Sequence, residues 1–256
     1  MDIKVMTYNI HHGKGSDKQT DLHRITDIIE KSKADIIGLN EVDRNFSRRS
    51  DYEDQISWLA KQLNMYQGFS PSISLSSKSQ ANVREYGNAL LSRYPIITKK
   101  SHSFHLKPGI AEPRSLLEAS IQINGKLVRF YVTHLSLNSF LHRKQSNFII
   151  HQLDKCSHPM IIMGDWNMRP GSNKWCNITK KFQDVWNLAG SGTGFTYPSK
   201  KPRIRLDYLF VSQDVRVVDV ELVKILSIAS DHLPLKATLS LYEPIGLTFK
   251  QDSFLL

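Results

Sequence analysis

Residues 160–168 read Met-Ile-Ile-Met-Gly-Asp-Trp-Asn-Met, an apolar run that breaks at Gly164 and delivers Asp165 and Asn167. A run this short, closed by Gly and Asp-x-Asn, suits a strand covered on both faces with a turn at its carboxyl end. In open α/β sheets that end is where ligands bind. Taken alone, residues 164–167 read more simply as a tight turn in which Asp and Asn bond their own backbone. The rest of the chain has to separate the two possibilities.

The same device recurs. Residues 4–8 alternate as a strand, Val5 and Thr7 opposing Met6 and Tyr8, and end at Asn9. Ile36-Ile37-Gly38-Leu39 ends at Asn40-Glu41-Val42-Asp43, and Asn124-Gly125 signals a hairpin into residues 127–134, which close on His134. Strand character also marks residues 89–91, 96–106, 116–123, 205–211 with Asp207, 215–226 and 237–241, and Ser230-Asp231-His232 stands before the last of these. Polar groups therefore sit at the tips Asn9, Glu41, His134, Asp165 and Asp231. Leu22, Ile25, Ile28 and Ile29 recur at helical spacing up to about residue 31, Ile56, Leu59, Ala60 and Leu63 mark a second helix, and residues 140–153 a third. Residues 70–85, rich in Ser, Lys, Asn and Gln, read as a surface loop, and Gly, Pro and Asn dominate from the end of the 160–168 run to Thr196. His11-His12-Gly13-Lys14-Gly15 fails the phosphate-loop pattern because the second Gly follows the Lys and no Ser or Thr directly does.

No linker, charge block or low-complexity segment divides the chain, so one domain over residues 1–256 is expected, with an apolar tail from 242 packing back on it. Two halves that each hold strands and helices suggest an α/β (α+β) fold: two sheets face to face, helices outside, and strand-tip residues of both sheets meeting along one edge. Asn9, Glu41, Asp165, Asn167 and Asp231 are hard oxygen donors with no thiolate among them, a set that suits Mg²⁺ or Mn²⁺. Cys156 and Cys176 are too few for a disulfide framework, the first ten residues lack the apolar block of a signal peptide, and no stretch approaches a membrane span. A cytoplasmic protein is expected. The formal charge of +10 favours polyanionic partners, or serves solubility alone.

Thr7-Tyr8-Asn9, Leu39-Asn40-Glu41-Val42, Gly87-Asn88-Ala89-Leu90-Leu91-Ser92-Arg93, Glu112-Pro113-Arg114, Thr133-His134-Leu135, Gly164-Asp165-Trp166-Asn167, Leu206-Asp207-Tyr208 and Ser230-Asp231-His232 follow one another in an order that resembles the endonuclease/exonuclease/phosphatase superfamily over nearly the whole chain. The resemblance implies a four-layer α/β/β/α sandwich of two mixed, mainly antiparallel sheets and metal-dependent cleavage of phosphate esters. It implies Glu41 as the main metal ligand, with Asn9 and Asp231 completing or supporting that site. Asp165 would orient or deprotonate the attacking water, Asn167 hold the phosphate, and Asp207 orient His232, whose imidazolium would face the phosphate. His134 would assist the leaving oxygen or the phosphate, and Arg114 brace the site from behind. Trp166 replaces the Phe commonest between the family's Asp and Asn, and is expected to pack. His11, His12, His102, His105, His142, His151 and His158 match no catalytic position and read as structural.

A phosphodiesterase, with nucleic acid among its substrates, is the first expectation for the ester, since Arg44, Arg48 and Arg49 follow the Glu41 strand closely enough to line a groove, or else form a solvated loop. An inositol-phosphate or phospholipid headgroup hydrolase is the second; Ile73, Leu75 and Val83 offer little for engaging a membrane. A catalytically silent binding module should have lost a ligand or a catalytic His, and none is lost. A monomer without a protein partner is expected.

Overall fold

The computed structural model describes residues 1–76, 83–104, 113–154 and 158–241. In chain order the elements are β1 (Asp2–Asn9), α1 (Leu22–Ser32), β2 (Ile36–Arg44), α2 (Gln55–Leu63), β3 (Tyr66–Leu75), β4 (Arg84–Ser92), β5 (Ile96–Phe104), β6 (Arg114–Ile123), β7 (Lys126–His134), α3 (Ser139–Leu153), β8 (Met160–Asp165), α4 (Asn173–Thr179), β9 (Gln183–Asp184), α5 (Val185–Ala189), β10 (Asp207–Val211), β11 (Val215–Leu222) and β12 (Leu235–Leu241). They build two six-stranded sheets, ordered β11-β12-β1-β2-β4-β3 and β5-β6-β7-β8-β10-β9. Each holds one parallel pair, β1 with β2 and β7 with β8, and the remaining pairs are antiparallel.

Period-two alternation sorts the side chains into layers. Ile3, Val5, Ile36 and Leu90 of the first sheet meet Leu117, Val132, Met163 and Leu209 of the second in the central core. Met6, Tyr8, Ile37 and Leu39 point the other way, under Ile25, Ile28 and Ile29 of α1 and Ile56 and Leu59 of α2. Tyr131, Ile162 and Phe210 face Ile149 and Leu153 of α3 and Ile178 of α4. The result is the expected four-layer α/β/β/α sandwich. Side-chain caps start the helices: Asp21 accepts from His23 N, Asp54 from Ser57 N, and Asn138 from Phe140 N and Leu141 N.

Three sequence expectations change. Residues 70–85 are no simple loop, for β3 runs to Leu75 and β4 begins at Arg84. The serines there are satisfied across the sandwich, Ser70 Oγ 2.7 Å from Ser101 Oγ and Ser72 Oγ 3.1 Å from Ser115 Oγ, so a polar composition is compatible with paired strands. The stretch before Thr196 holds α4, β9 and α5, started by the caps Ser172 and Asp184. Strand β11 ends at Leu222 and not near residue 226. The tail 242–256, the end of the 96–106 run, His105, Glu112 and Cys156 lie outside the described residues. Among the described residues no helix is long and apolar enough to cross a membrane.

Candidate active site

The alternation that builds the central core also builds the site. Residues 5, 7 and 9 of β1, 36, 38 and 40 of β2, 130, 132 and 134 of β7, 161, 163 and 165 of β8, and 207, 209 and 211 of β10 all face between the sheets. At one edge this apolar series ends in Asn9, Asn40, His134, Asp165 and Asp207, each at most 5% exposed. Register fixes the neighbours: His134 pairs with Asp165 in the parallel β7–β8 ladder, and Asp165 with Asp207 in the antiparallel β8–β10 ladder. Gly164 lets β7 and β8 approach here, since its φ is 143° and a Cβ would lie 1.8 Å from the Thr133 carbonyl oxygen.

Buried amides lock the two sheets together behind these groups. Asn40 Nδ2 donates to Asn88 Oδ1 at 2.7 Å and to Thr133 O at 2.9 Å, while its Oδ1 accepts from Asp165 N at 2.9 Å. Asn88 Nδ2 donates in turn to Ser115 O at 2.9 Å. Asn40 and Glu41 stand opposite the single residue Asn88 in a β-bulge, and Glu41 has φ 58°, which turns its carboxylate out of the ladder.

Asn9 joins the carboxylates. Its Oδ1 accepts from His11 N at 3.0 Å, and because that backbone group can only donate, Nδ2 is the atom facing Glu41 Oε1 at 3.0 Å and Asp165 Oδ2 at 3.1 Å. Asn9 thus presents its nitrogen to Glu41 and positions that carboxylate. The 230–232 turn is tied to the same tip, Ser230 Oγ donating to Asn9 O at 2.8 Å.

His232 Nδ1 meets Asp207 Oδ2 at 2.8 Å, its Nε2 stands 3.8 Å from Asp165 Oδ2, and the Tyr197 ring lies 4.8 Å from its own, centroid to centroid. Burial pulls the imidazole pKa down, but the charge and hydrogen bond of Asp207, with Asp165 and Asp231, outweigh it and push the value up to about 10. Burial raises Asp165 to about 7; the His232 charge and hydrogen bonds from Asn167 N and Asn9 oppose the rise, and Asp207 adds to it. His134 moves the other way, well below its ordinary value, through burial and then the charges of Arg114 and His232. Its Nε2, 3.4 Å from Asp165 Oδ2, is therefore a polar neighbour and not half of an ion pair. Arg114 opens β6, buried, and acts here through that charge. Asn167 has φ 46°, and its Nδ2 donates to Leu135 O at 2.9 Å and reaches His134 Nε2 at 3.1 Å.

Asp165, Asn167, His134, His232, Asp207, Asn9 and Glu41 are thus brought together. Asp231 is more exposed and stands 3.7 Å from His11 Nδ1. The donor chemistry fits a divalent cation: Asp165, Asp207 and His232 offer one atom each within 4.8 Å of one another, as do His11, His12 and Glu41. Asp207 Oδ1 is buried without a hydrogen-bond partner among the described residues. The Arg cluster behaves otherwise than expected for a groove. Arg49 clamps buried Asp43 at 2.7 and 2.9 Å, and Arg44 pairs with Asp54 at 3.1 Å and Glu85 at 3.2 Å. Asn40, Asn88 and Tyr197 carry no role legible in the sequence, and His11 reads there as structural; an Asn within a buried apolar run is the available signal for the first. His142 is structural as expected, its Nε2 donating to Trp166 O at 2.7 Å, and Trp166 packs fully buried 5.1 Å from the Phe210 ring.

The family model described as Endonuclease/Exonuclease/phosphatase family matches residues 6–232. A protein of Escherichia coli (strain K12), Uncharacterized protein YbhP, is similar at 26% identity over 256 residues, covering 93% of this chain and 96% of that one. The fold is shared with the endonuclease/exonuclease/phosphatase from Beutenbergia cavernae DSM 12333, with a TM-score of 0.79 at 23% identity over 94% of this chain and 72% of that one. It is shared also with Bacteroides thetaiotaomicron VPI-5482 mannosyl-6-phosphatase Bt3783, with a TM-score of 0.73 at 16% identity over 93% and 99%.

Proposed function

Because this chain belongs to the endonuclease/exonuclease/phosphatase family, we propose that it is a metal-dependent phosphoric ester hydrolase acting first on phosphodiesters of a polyanion such as nucleic acid. The convergence of Asp165, Asn167 and the Asp207-held His232 on one buried edge beside Glu41 supports this above all. With its pKa near 7, Asp165 is ionised enough at neutral pH to take a proton from an attacking water. His232 keeps its proton there and offers Nε2–H to the phosphoryl oxygens as negative charge gathers in the transition state. Asn167 holds a phosphate oxygen by exchanging its contact with His134 Nε2 for one to the ester. His134, neutral at that pH, serves as a hydrogen-bond partner and not as a proton reservoir. Glu41, oriented by Asn9 and accompanied by Asp231, would hold Mg²⁺ or Mn²⁺, which when bound supplies charge stabilisation at a phosphoryl oxygen and a more acidic water.

Preference for a polyanion draws on a groove of about 880 Å³ between α3 and α4, where Arg143, Lys174 and Lys180 stand among Ser and Asn side chains. Its lining residues Ser139 and Ser172 come five residues after His134 and after Asn167 in the chain, and we infer that an extended substrate leaving the site reaches these cations. Hydrolysis of bis-p-nitrophenyl phosphate with Mg²⁺ or Mn²⁺, and its loss on chelation, is the first test. A panel of plasmid DNA, RNA, inositol phosphates and sphingomyelin then ranks the esters. Absence of metal-supported turnover on every one of them ends the proposal.

A further inference from the structure

His11 and His12 lie where the family pattern gives them no part, yet the fold seats them against Glu41. One donor atom from each of the three falls within 4.8 Å of the others. Ligands about 2.0–2.2 Å from a common ion stand roughly 3–4 Å apart, so small side-chain rotations complete such a site. His12 is only 6% exposed, and its Nδ1 has no hydrogen-bond partner among the described residues. A buried imidazole nitrogen left in that state is costly unless something else uses it. The two rings touch edge to face, their centroids 4.5 Å apart.

The backbone holds the pair in place. His11 and His12 both have left-handed φ, 46° and 47°, a conformation unfavourable for residues with a Cβ. His11 N is held by Asn9 Oδ1 at 3.0 Å, and His12 O by Gln55 Nε2 at 2.8 Å. Arg49 is engaged by Asp43, and Glu41 makes no guanidinium bond among the described residues.

We propose that His11, His12 and Glu41 form a two-nitrogen, one-carboxylate site for a first-row transition ion such as Mn²⁺, in preference to Mg²⁺. Imidazole nitrogens favour the first-row transition ions over Mg²⁺, which takes oxygen ligands and water; Mn²⁺, the weakest binder of that row, keeps the affinity for a carboxylate that Glu41 supplies. The inference rests on the assignment of Glu41 as a metal ligand and adds the two histidines to it.

Metal-stripped protein titrated with Mn²⁺ and followed by continuous-wave and pulsed electron paramagnetic resonance tests this without reference to activity. Tight Mn²⁺ with nitrogen hyperfine coupling from imidazole is the expected result, resistant to a large excess of Mg²⁺. His11→Gln and His12→Gln should each weaken Mn²⁺ about tenfold or more and reduce that coupling, with circular dichroism confirming the fold. The wild-type spectrum alone decides if a variant misfolds. Mn²⁺ bound without nitrogen coupling, but lost in Glu41→Gln, overturns the histidine site and leaves the proposed function standing. Nitrogen-coupled Mn²⁺ that survives Glu41→Gln overturns Glu41 as ligand. No binding at all removes both.

Discussion

His232 Nδ1 and Asp207 Oδ2 lie 2.8 Å apart, both buried, and join the turn before β12 of one sheet to the first residue of β10 in the other. The bond holds the imidazole proton and aims its other nitrogen toward Asp165.

That pair sets a pH profile. Turnover should rise as Asp165 ionises near pH 7 and fall as His232 loses its proton toward pH 10. Asp207→Asn removes the largest group raising the His232 value, so burial should dominate and the alkaline limb move down into the neutral range. Activity is expected to drop about 10²–10⁴-fold. Measuring kcat/KM against pH with bis-p-nitrophenyl phosphate checks both limbs, and an alkaline limb that stays put in the variant refutes the assignment.

Asp165 should trade stability for activity. Its pKa is raised on folding, from 3.8 to about 7, so the folded state disfavours the ionised form and stability falls as pH rises through that interval. Asp165→Asn should therefore be nearly inactive yet more stable than the parent at pH 8, with the gap closing below about pH 4. Urea titrations at several pH values measure this; equal stability at pH 8 would count against it.

Asn40 carries the connection between sheets. Asn40→Ala leaves Asn88 Oδ1, Thr133 O and Asp165 N without their present partner. A loss of about 2–5 kcal/mol is expected from orphaning several buried groups at once. Chemical denaturation monitored by tryptophan fluorescence gives the value, and a change under about 0.5 kcal/mol would mean that the bridge is idle.

Gly164 and Gly125 both have positive φ but differ in surroundings. Ala at Gly164 would set a Cβ 1.8 Å from Thr133 O, whereas Gly125 has nothing within 4 Å. Gly125→Ala should cost about 1 kcal/mol of backbone strain, and Gly164→Ala several times that or failure to fold. Comparable melting temperatures for the two would contradict the close approach of β7 and β8.

Charge in the groove should act on long substrates alone. Arg143→Glu with Lys174→Glu is expected to raise KM for DNA or RNA and flatten its salt dependence, while bis-p-nitrophenyl phosphate turnover stays unchanged. Parallel loss on both substrates would point to damage at the site.

Much of this molecule follows from local pattern. Leu22, Ile25, Ile28 and Ile29 repeat at the period of a helix, and α1 is there; the unbroken apolar run 160–163 reads as a strand covered on both faces, and β8 is buried throughout with Asp165 at its end. Such periodicities are legible because a helix or strand repeats its faces over a few residues, whatever lies elsewhere. The order of polar strand tips was legible for the same reason, and it marked Asn9, Glu41, His134, Asp165 and Asp231. Partnership was not. Arg49 reads as a groove-lining or solvated cation until Asp43, itself held by Ser50, is folded against it, and the amide nitrogen that Asn9 turns to Glu41 and Asp165 shows only once the sheets are packed. Asn40 meets Asp165 across 125 positions of chain, and His11 and His12 come to flank Glu41 only once a three-residue turn docks on β2. Hydrogen bonds and ion pairs of this kind depend on distance in space, which packing of the two sheets sets and spacing along the chain does not.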